Sequence, residues 1–421
     1  MSESDFRLSN LDIPEEKKNV NEEPQFIPMT FDSGTGILQH DTVEGIVDEA
    51  REKVLKACKM LVDEGLVART WGNISARIND ELFAITPSGK AYDTLTPDQI
   101  VVVRASDCTW MGDIKPSSEK GIHASIYLDR PEVNMVIHTH QFYASAISII
   151  GLDVENVSEL SSEAGELVGD RIPCAGYGLS STKKLRNNVR KAFADNPGSK
   201  AVLMRNHGAV CVGEDIDSAF HASRLLEDVS KKLYSRYCLG DVADEPAGES
   251  RMYVEGDTSA PSWARKAMIN GNKCVVLSKE PYTVKVSRQG MAIRPYIDDL
   301  AQIGGVNIKC VMPEGSTSEL KKALRNSDAV LVKGAGAICA GKEPDDAEAL
   351  ATVLEKGCAA AHLAASFGDV KPVSRKDALF EREVYVTKYS RLKKTGDDKN
   401  NKASDWTGKI KSLLKGLKKV K

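Results

Sequence analysis

The spacing of apolar residues divides much of the chain into helices and strands. Apolar side chains recur every three or four positions from Val43 to Val62, which predicts an amphipathic helix that ends near Gly65. The same periodicity predicts further elements, namely strands at 82–89, 100–104, 133–140 and 201–204, and helices at 122–128, 144–150, 182–193 and 216–237. Regular structure is therefore expected throughout this half of the chain.

Changes in composition indicate where the domains begin and end. Residues 1–40 are rich in Glu, Asn, Lys and Pro and show little periodicity, which predicts a flexible N-terminal arm. A domain is predicted at 41–240, followed by a linker at 241–261 that is rich in Asp, Glu, Gly, Ser and Pro. A smaller domain at 262–392 and a polar linker with a basic tail at 393–421 complete the predicted organisation.

The smaller domain repeats part of the larger one. Residues 202–213 align without gaps on residues 330–341, and both segments precede an acidic turn and a long helix rich in Ala and Leu. His207 corresponds to Ala335 in this alignment. A weaker similarity pairs residues 135–140 with 275–280, where the histidines are also missing. We therefore expect the second domain to be a degenerate copy that lacks metal ligands and serves packing or assembly.

Composition excludes several classes of protein. The 421 residues carry 57 basic and 60 acidic side chains, and the net charge of −3 argues against a general nucleic-acid binder. The nine cysteines show no Cys-x-x-Cys pair, which argues against a disulfide framework or a zinc ribbon. The polar N-terminus lacks the features of a signal peptide, and no apolar run approaches the length of a membrane span. These features predict a soluble, cytoplasmic protein.

Two histidines separated by one residue indicate a metal site. His138 and His140 end an apolar strand, and alternation along a strand puts both imidazoles on one face. An isolated pair of this kind is more often structural. Here two other motifs are present, Pro116-Ser117-Ser118-Glu119 and Asn206-His207-Gly208, and their Glu119 and His207 can complete the ligand set. Imidazole ligation favours zinc, with other divalent metals as alternatives.

Loops of small residues flank this site and suit a phosphate. Glycines allow close approach and short polar side chains donate hydrogen bonds; the candidates are Gly72, Asn73, Ser88, Gly89, Ser117 and Ser118. Ordinary turn chemistry is the alternative for these loops. Glu119 lies near a predicted helix N-terminus, where it is either a favourable first-turn charge or the acid/base of a metal site.

Five segments together resemble the class II aldolase/adducin family: Gly72-Asn73-Ile74-Ser75, Thr86-Pro87-Ser88-Gly89, Pro116-Ser117-Ser118-Glu119, His138-Thr139-His140 and Asn206-His207-Gly208. The resemblance covers roughly residues 41–240. It implies an α/β/α sandwich with a mainly antiparallel central sheet, and commonly a homotetramer with zinc near subunit interfaces. It also implies that His138, His140 and His207 ligate the metal, that Glu119 is the acid/base, and that the small-residue loops bind the phosphate of a sugar phosphate.

The function that this resemblance implies has several alternatives. An aldolase would cleave a ketose phosphate by retro-aldol chemistry through a metal-stabilised enediolate. The segment at 70–73 resembles the family's pentulose-phosphate 4-epimerases, whereas Glu119 resembles the aldolases. Family aldolases take a proton donor from a tyrosine of a neighbouring subunit, and the matching segment at 159–170 contains no tyrosine. A related dehydratase and an adducin-like scaffold with a structural zinc are the remaining alternatives.

The basic tail forms its own prediction. Its apolar residues recur at helical spacing between lysines, at Trp406, Ile410, Leu413, Leu414, Leu417 and Val420. The tail resembles the encapsulation peptides that direct enzymes into bacterial microcompartments. A membrane surface, a groove of the same protein and an inert solvated end are the alternatives.

Overall fold

A computed structural model describes residues 43–67, 71–238 and 248–389 of the chain. The arm predicted at 1–40 and the tail predicted at 393–421 lie outside the described residues. None of the helices within the described ranges is both long and apolar enough to cross a membrane.

The first unit is organised around a central sheet. Within the described residues this sheet has seven strands: β1 (Gly72–Arg77), β2 (Leu82–Ile85), β3 (Val101–Arg104), β4 (Met135–Thr139), β7 (Cys174–Ala175), β8 (Ala201–Met204) and β9 (Gly208–Gly213). Two further strands, β5 (Val154–Glu155) and β6 (Arg171–Ile172), pair separately. Across the sheet the order is β3-β2-β1-β4-β9-β8-β7. Neighbouring strands run antiparallel except β7 and β8. The sheet is therefore mainly antiparallel.

Helices cover both faces of this sheet because its strands are apolar on both sides. They are α1 (Val43–Asp63), α2 (Lys120–Asp129), α3 (Phe142–Ser148), α4 (Val157–Leu160), α5 (Ser162–Val168), α6 (Lys183–Asp195) and α7 (Ile216–Tyr237). On β4, Met135 and Ile137 face a cluster that includes α1, whereas Val136 faces a cluster that includes α2 and α6. The predicted α/β/α sandwich is confirmed.

The second unit has a smaller sheet with the same core connectivity. Its strands follow the order β10-β11-β14-β13-β12 and are β10 (Arg251–Val254), β11 (Cys274–Ser278), β12 (Cys310–Val311), β13 (Ala329–Val332) and β14 (Gly336–Gly341). Its helices are α8 (Ser262–Ala267), α9 (Pro281–Arg288), α10 (Asp298–Ile303), α11 (Thr317–Ala323), α12 (Pro344–Phe367) and α13 (Arg375–Val384). The arrangement β11-β14-β13-β12 matches β4-β9-β8-β7, including the parallel last pair. The predicted degenerate repeat of the fold is confirmed.

Strand register corrects one part of the predicted alignment. Met135 pairs with Gly213 in the first sheet, and Cys274 pairs with Gly341 in the second. Met135 therefore corresponds to Cys274, so the predicted match of 135–140 with 275–280 is wrong by one residue. The counterparts of His138 and His140 are Leu277 and Lys279. Apolar letters in a buried strand do not distinguish these registers, although a shift by one residue exchanges the two faces.

The segment predicted as a linker at 241–261 carries an edge strand. Arg251 pairs with Leu277 and Val254 pairs with Cys274, so β10 is part of the second sheet. The flanking Asp, Glu, Gly and Pro residues dominate the composition of the segment and conceal the four strand residues between them.

The two units share a hydrophobic core. Side chains from α3 and α7 pack with side chains from α9, α10 and α12 in one buried cluster. At this contact the Tyr234 hydroxyl donates to the Ala359 carbonyl at 3.0 Å, and the hydroxyl oxygens of Tyr143 and Tyr282 lie 3.4 Å apart. The second unit is therefore fixed against the end of the first sheet where the predicted metal ligands lie.

Candidate metal centre

Three histidines and a glutamate converge at the end of β4. His138 lies on β4 between Asn73 of β1 and Val210 of β9, and His140 follows the strand directly. His207 lies in the tight turn between β8 and β9, which Asn206 enters with a positive φ of 62°. One ligand atom from each of Glu119, His138, His140 and His207 lies within 4.8 Å of the others. The structure brings together the whole predicted ligand set and the predicted acid/base.

Hydrogen bonds orient all three imidazoles in the same sense. The Nδ1 atom of His138 donates to the Ala209 carbonyl at 2.8 Å, that of His140 to Asp299 at 2.5 Å, and that of His207 to Asp298 at 3.0 Å. A neutral imidazole has a single N–H, so an acceptor at Nδ1 leaves the Nε2 lone pair available. All three rings therefore have the tautomer that suits a metal bound through Nε2.

The imidazole Nε2 atoms of the three histidines lie close together. Those of His138 and His140 are 2.9 Å apart, and that of His207 is buried with no hydrogen-bond partner in the described part of the chain. Lone pairs this close repel one another unless a cation lies between them. Three imidazole nitrogens with a nearby carboxylate are a donor set that suits zinc or a related divalent ion. The residues present therefore fit a metal.

Glu119 is held toward the histidines. It is the N-cap residue of α2, but its side chain makes no capping hydrogen bond. One carboxylate oxygen lies 3.1 Å from His138 Nε2 and the other lies 3.3 Å from His207 Nε2. Asn73 Nδ2 donates to the same carboxylate at 3.1 Å, and the Ser180 hydroxyl donates to it at 3.3 Å. The geometry favours a site acid over a helix-capping charge.

A buried polar chain extends from Glu119 into the core and includes a residue that the sequence analysis missed. His123 Nε2 donates to Asn73 Oδ1 at 2.5 Å, and His123 Nδ1 accepts from the Ser75 hydroxyl at 2.6 Å. The Tyr127 hydroxyl continues the chain to Ser75 at 2.8 Å. The side-chain amide of Asn73 is thus held by Glu119 at its nitrogen and by His123 at its oxygen. Position 123 is four residues after Glu119, and this helical spacing could have indicated a shared face.

The predicted phosphate loops lie side by side. Pro87 and Pro116 form an isolated β-bridge, the Ser88 amide donates to the Lys115 carbonyl at 2.9 Å, and the Ser117 amide donates to the Thr86 carbonyl at 3.0 Å. These contacts place Ser88 and Gly89 beside Ser117 and Ser118. The Ser117 hydroxyl accepts from the Glu119 amide at 3.2 Å, so this loop also positions the acid.

Gly72 has a different reason to be glycine. Its φ is 112°, and a Cβ atom there would lie 2.5 Å from the His138 carbonyl oxygen. Close approach of β1 and β4 therefore requires glycine at this position. The side chain of the neighbouring Asn73 contacts Glu119 rather than either phosphate loop.

The second unit reaches the centre, which the sequence analysis did not predict. Asp298 and Asp299 are the first two residues of α10, and both are fully buried. Lys356 of α12 donates to Asp299 at 2.6 Å and to the His140 carbonyl at 2.8 Å. The second unit contributes none of the four clustered residues, but it contacts two of the three histidines. The expectation that it serves packing or assembly did not include these contacts with the histidines.

Burial and neighbouring charges shift pKa values within the cluster. Burial opposes ionisation of Glu119, but His207 and His138 outweigh it and hold the pKa of the carboxyl well below its usual value. Burial would lower the pKa of His207, whereas Glu119 and Asp298 raise it well above its usual value. Burial lowers the pKa of His140 to about 4 despite the adjacent Asp299. The carboxylates of Glu119 and Asp298 on either side of His207 thus favour positive charge at this end of the cluster.

The structure is thus an α/β/α sandwich with a candidate metal site of three histidines and a glutamate. The family model described as "Class II Aldolase and Adducin N-terminal domain" matches residues 52–234 and again residues 267–362. The chain belongs to this family, and the two matched segments correspond to its two repeats.

Curated relatives are sugar-phosphate aldolases. The 5-deoxy-D-ribulose 1-phosphate aldolase of Bacillus thuringiensis serovar kurstaki is 30% identical over 197 residues, which cover 47% of this chain and 89% of the relative. The L-fuculose phosphate aldolase of Escherichia coli strain K12 is 31% identical over 182 residues, which cover 43% and 80%. A solved L-fuculose 1-phosphate aldolase aligns with a TM-score of 0.42 at 28% identity, covering 46% of this chain and 88% of that chain.

Proposed function

We propose that the protein is a metal-dependent aldolase that cleaves a ketose phosphate by a retro-aldol reaction. The observation that carries the proposal is the convergence of three imidazole Nε2 atoms on Glu119 in a chain whose relatives are sugar-phosphate aldolases. His138, His140 and His207 would hold a divalent ion, with zinc favoured by the imidazole donors. Bound there, the ion would supply a Lewis acid for substrate oxygen atoms.

The chain's own residues would bind the substrate and move its protons. Cleavage removes a proton from a substrate hydroxyl, breaks one carbon–carbon bond to leave an aldehyde, and returns a proton to the carbon of the keto fragment. Glu119 is the acid/base in this proposal because its carboxylate lies at the centre and is oriented by Asn73. Ser88, Gly89, Ser117 and Ser118, with Gly72 and Asn73 at the end of β1, would place the substrate phosphate.

A pentulose-phosphate 4-epimerase is a second candidate. The Thr70-Trp71-Gly72-Asn73 segment favours it, whereas Glu119 favours the aldolase, and the absence of a tyrosine from residues 159–170 leaves the second proton donor unassigned. An epimerase can use the same bond cleavage but would rejoin the fragments before release. The two candidates therefore differ in whether an aldehyde leaves the enzyme.

The test uses the full chain loaded with zinc and a panel of ketose 1-phosphates and pentulose 5-phosphates. Release of an aldehyde, detected by a coupled dehydrogenase, would support the aldolase, whereas formation of an epimer without free aldehyde, detected by NMR, would support the epimerase. Water loss from a substrate would indicate a dehydratase. Stoichiometric zinc without any conversion would contradict an enzymatic role and favour a scaffold.

A further inference from the structure

We propose that the second repeat is the positioning half of the metal centre. In this proposal Asp298 and Asp299 fix His207 and His140 in the tautomer that binds metal, and Lys356 holds Asp299 in place. The inference concerns metal affinity, so it does not depend on which reaction the centre catalyses.

Asp299 connects a histidine ligand to a buried cation. Its Oδ1 atom accepts from His140 Nδ1, and its Oδ2 atom accepts from Lys356 Nζ. Lys356 also donates to the His140 carbonyl, so the histidine is held through both its ring and its backbone. The carboxylate and ammonium charges balance in the buried site, where an unpaired charge would be costly. This arrangement fixes the rotation of the His140 ring and places its N–H on Nδ1.

Asp298 acts on the opposite histidine. It accepts from His207 Nδ1 at 3.0 Å and from the Tyr177 hydroxyl at 3.2 Å. Its own amide donates to the Asn206 carbonyl at 2.9 Å, and Asn206 Nδ2 donates to the Tyr296 carbonyl at 2.7 Å. These backbone contacts clamp the His207 turn to the start of α10. The second repeat therefore contacts both the ring of His207 and the residue that precedes it.

Helix α13 holds the C-terminal end of α10 through hydrogen bonds. Arg382 donates to the carbonyls of Gln302 and Ile303 at the end of α10. Glu381 accepts from Gln302 Nε2 at 3.0 Å and from the Ser180 amide at 3.1 Å, in the loop that contacts Glu119. The position of the two aspartates is thus set by packing across the whole contact between the repeats.

The comparison of the repeats supports a division of roles. The positions of the three histidines carry Leu277, Lys279 and Ala335 in the second repeat, so its ligands have been lost. The counterpart of Lys356 in the first repeat is Asp228, which is exposed. The second repeat therefore lacks the histidines at its own positions and has buried polar residues that contact the histidines of the first repeat. Carboxylates at the distal nitrogen of a ligand histidine commonly account for about 10–100-fold in metal affinity.

The test measures zinc affinity of the full-length protein by competition with a chromophoric chelator. Asp298→Asn and Asp299→Asn preserve size, but an amide can donate to Nδ1 and so favour the wrong tautomer. The matched control is Glu355→Gln, which changes a buried carboxylate next to Lys356 that caps α9 through the Tyr282 and Thr283 amides. A further variant, Asp299→Leu with Lys356→Met, removes the buried pair together and avoids an unpaired charge.

We expect both asparagine variants and the paired variant to bind zinc about 10–100-fold more weakly than the parent. The visible spectrum of the cobalt-substituted protein should change in the same variants, and Glu355→Gln should leave both measurements unaltered. Zinc affinity within about twofold of the parent in folded Asp298→Asn and Asp299→Asn proteins would overturn the proposal. An equal loss in Glu355→Gln would also overturn it, because general loosening would then explain the effect. Neither outcome depends on turnover, so a failure here is distinct from a failure of the proposed function.

Discussion

The Asp299 carboxylate lies 2.5 Å from Nδ1 of His140, although 159 residues separate the two in the chain. His140 belongs to the repeat that carries the histidine cluster, and Asp299 belongs to the repeat that lacks these histidines. Residues of both repeats therefore build the candidate centre, and substitutions outside the four clustered side chains should affect it.

Removal of a ligand histidine should abolish stable metal binding. Replacing His140 with Ala takes away one of three converging imidazoles, so we expect zinc affinity to fall by more than about 100-fold, beyond the effect of outer partners. Elemental analysis of the dialysed protein measures the loss. His221→Ala is the control, because His221 lies on α7 and pairs with Glu163 away from the centre. Undiminished stoichiometric zinc in His140→Ala would contradict the assignment.

Replacing Glu119 should separate metal binding from catalysis. Glu119→Gln retains three histidines and a side chain of similar size, so zinc should remain bound. Loss of the acid/base should slow turnover by about 10²–10⁴-fold, measured as the rate of product formation at saturating substrate. Glu163→Gln removes a surface carboxylate and serves as the control. Turnover at the parent rate in a zinc-loaded Glu119→Gln protein would exclude this role.

Two glycines with positive φ allow a matched test of strand approach. At Gly72 an added Cβ atom would meet the His138 carbonyl, whereas at Gly65, with φ of 67°, it would meet nothing within 4 Å. Gly65→Ala should therefore cost about 1–2 kcal/mol of unfolding free energy from backbone strain alone. Gly72→Ala should cost roughly 2–5 kcal/mol and also weaken zinc binding, because β4 carries His138. Equal losses in chemical denaturation would show that the strand contact is unimportant.

A buried acid at the contact between the repeats should make stability depend on pH. Glu227 accepts from the Tyr143 and Ala144 amides at 2.7 and 2.9 Å, and burial raises its pKa from 4.5 to about 6. The unfolded chain loses this proton at lower pH than the folded chain. The stabilising contribution is therefore complete below pH 4.5 and is lost as the pH rises through 6, by about 2 kcal/mol.

The measurement is the free energy of unfolding between pH 4.5 and 6.5 for the parent and for Glu227→Gln. The variant should lack this part of the pH dependence, whereas Glu166→Gln, at an exposed position, should retain it. An identical pH profile in the parent and in Glu227→Gln would contradict the prediction.

The sequence was sufficient to predict which four side chains cluster, because their motifs are local. His138 and His140 share a strand face by alternation, and Glu119 and His207 each stand in a short motif of recognisable composition. The fold class followed from the same segments, since the family that they resemble has an α/β/α sandwich with a mainly antiparallel sheet; the order of the strands was not predicted.

The residues that orient the ligands were not predictable in this way. Asp298 and Asp299 begin a short helix, where acidic residues are ordinary, and Lys356 lies within a helix of mixed composition. Their role arises only from docking of the second repeat on the first. An alignment of the two repeats shows which histidines the second repeat lacks. It does not show which residues of the second repeat contact the first.

The union of the two repeats in one chain has a consequence for experiments at low protein concentration. A contact between separate molecules weakens on dilution, but Asp299 and His140 are tethered and keep the same effective concentration at any dilution. The completeness of the histidine cluster is therefore set by folding alone. The number of assembled centres should stay in fixed proportion to the number of chains down to the most dilute assay.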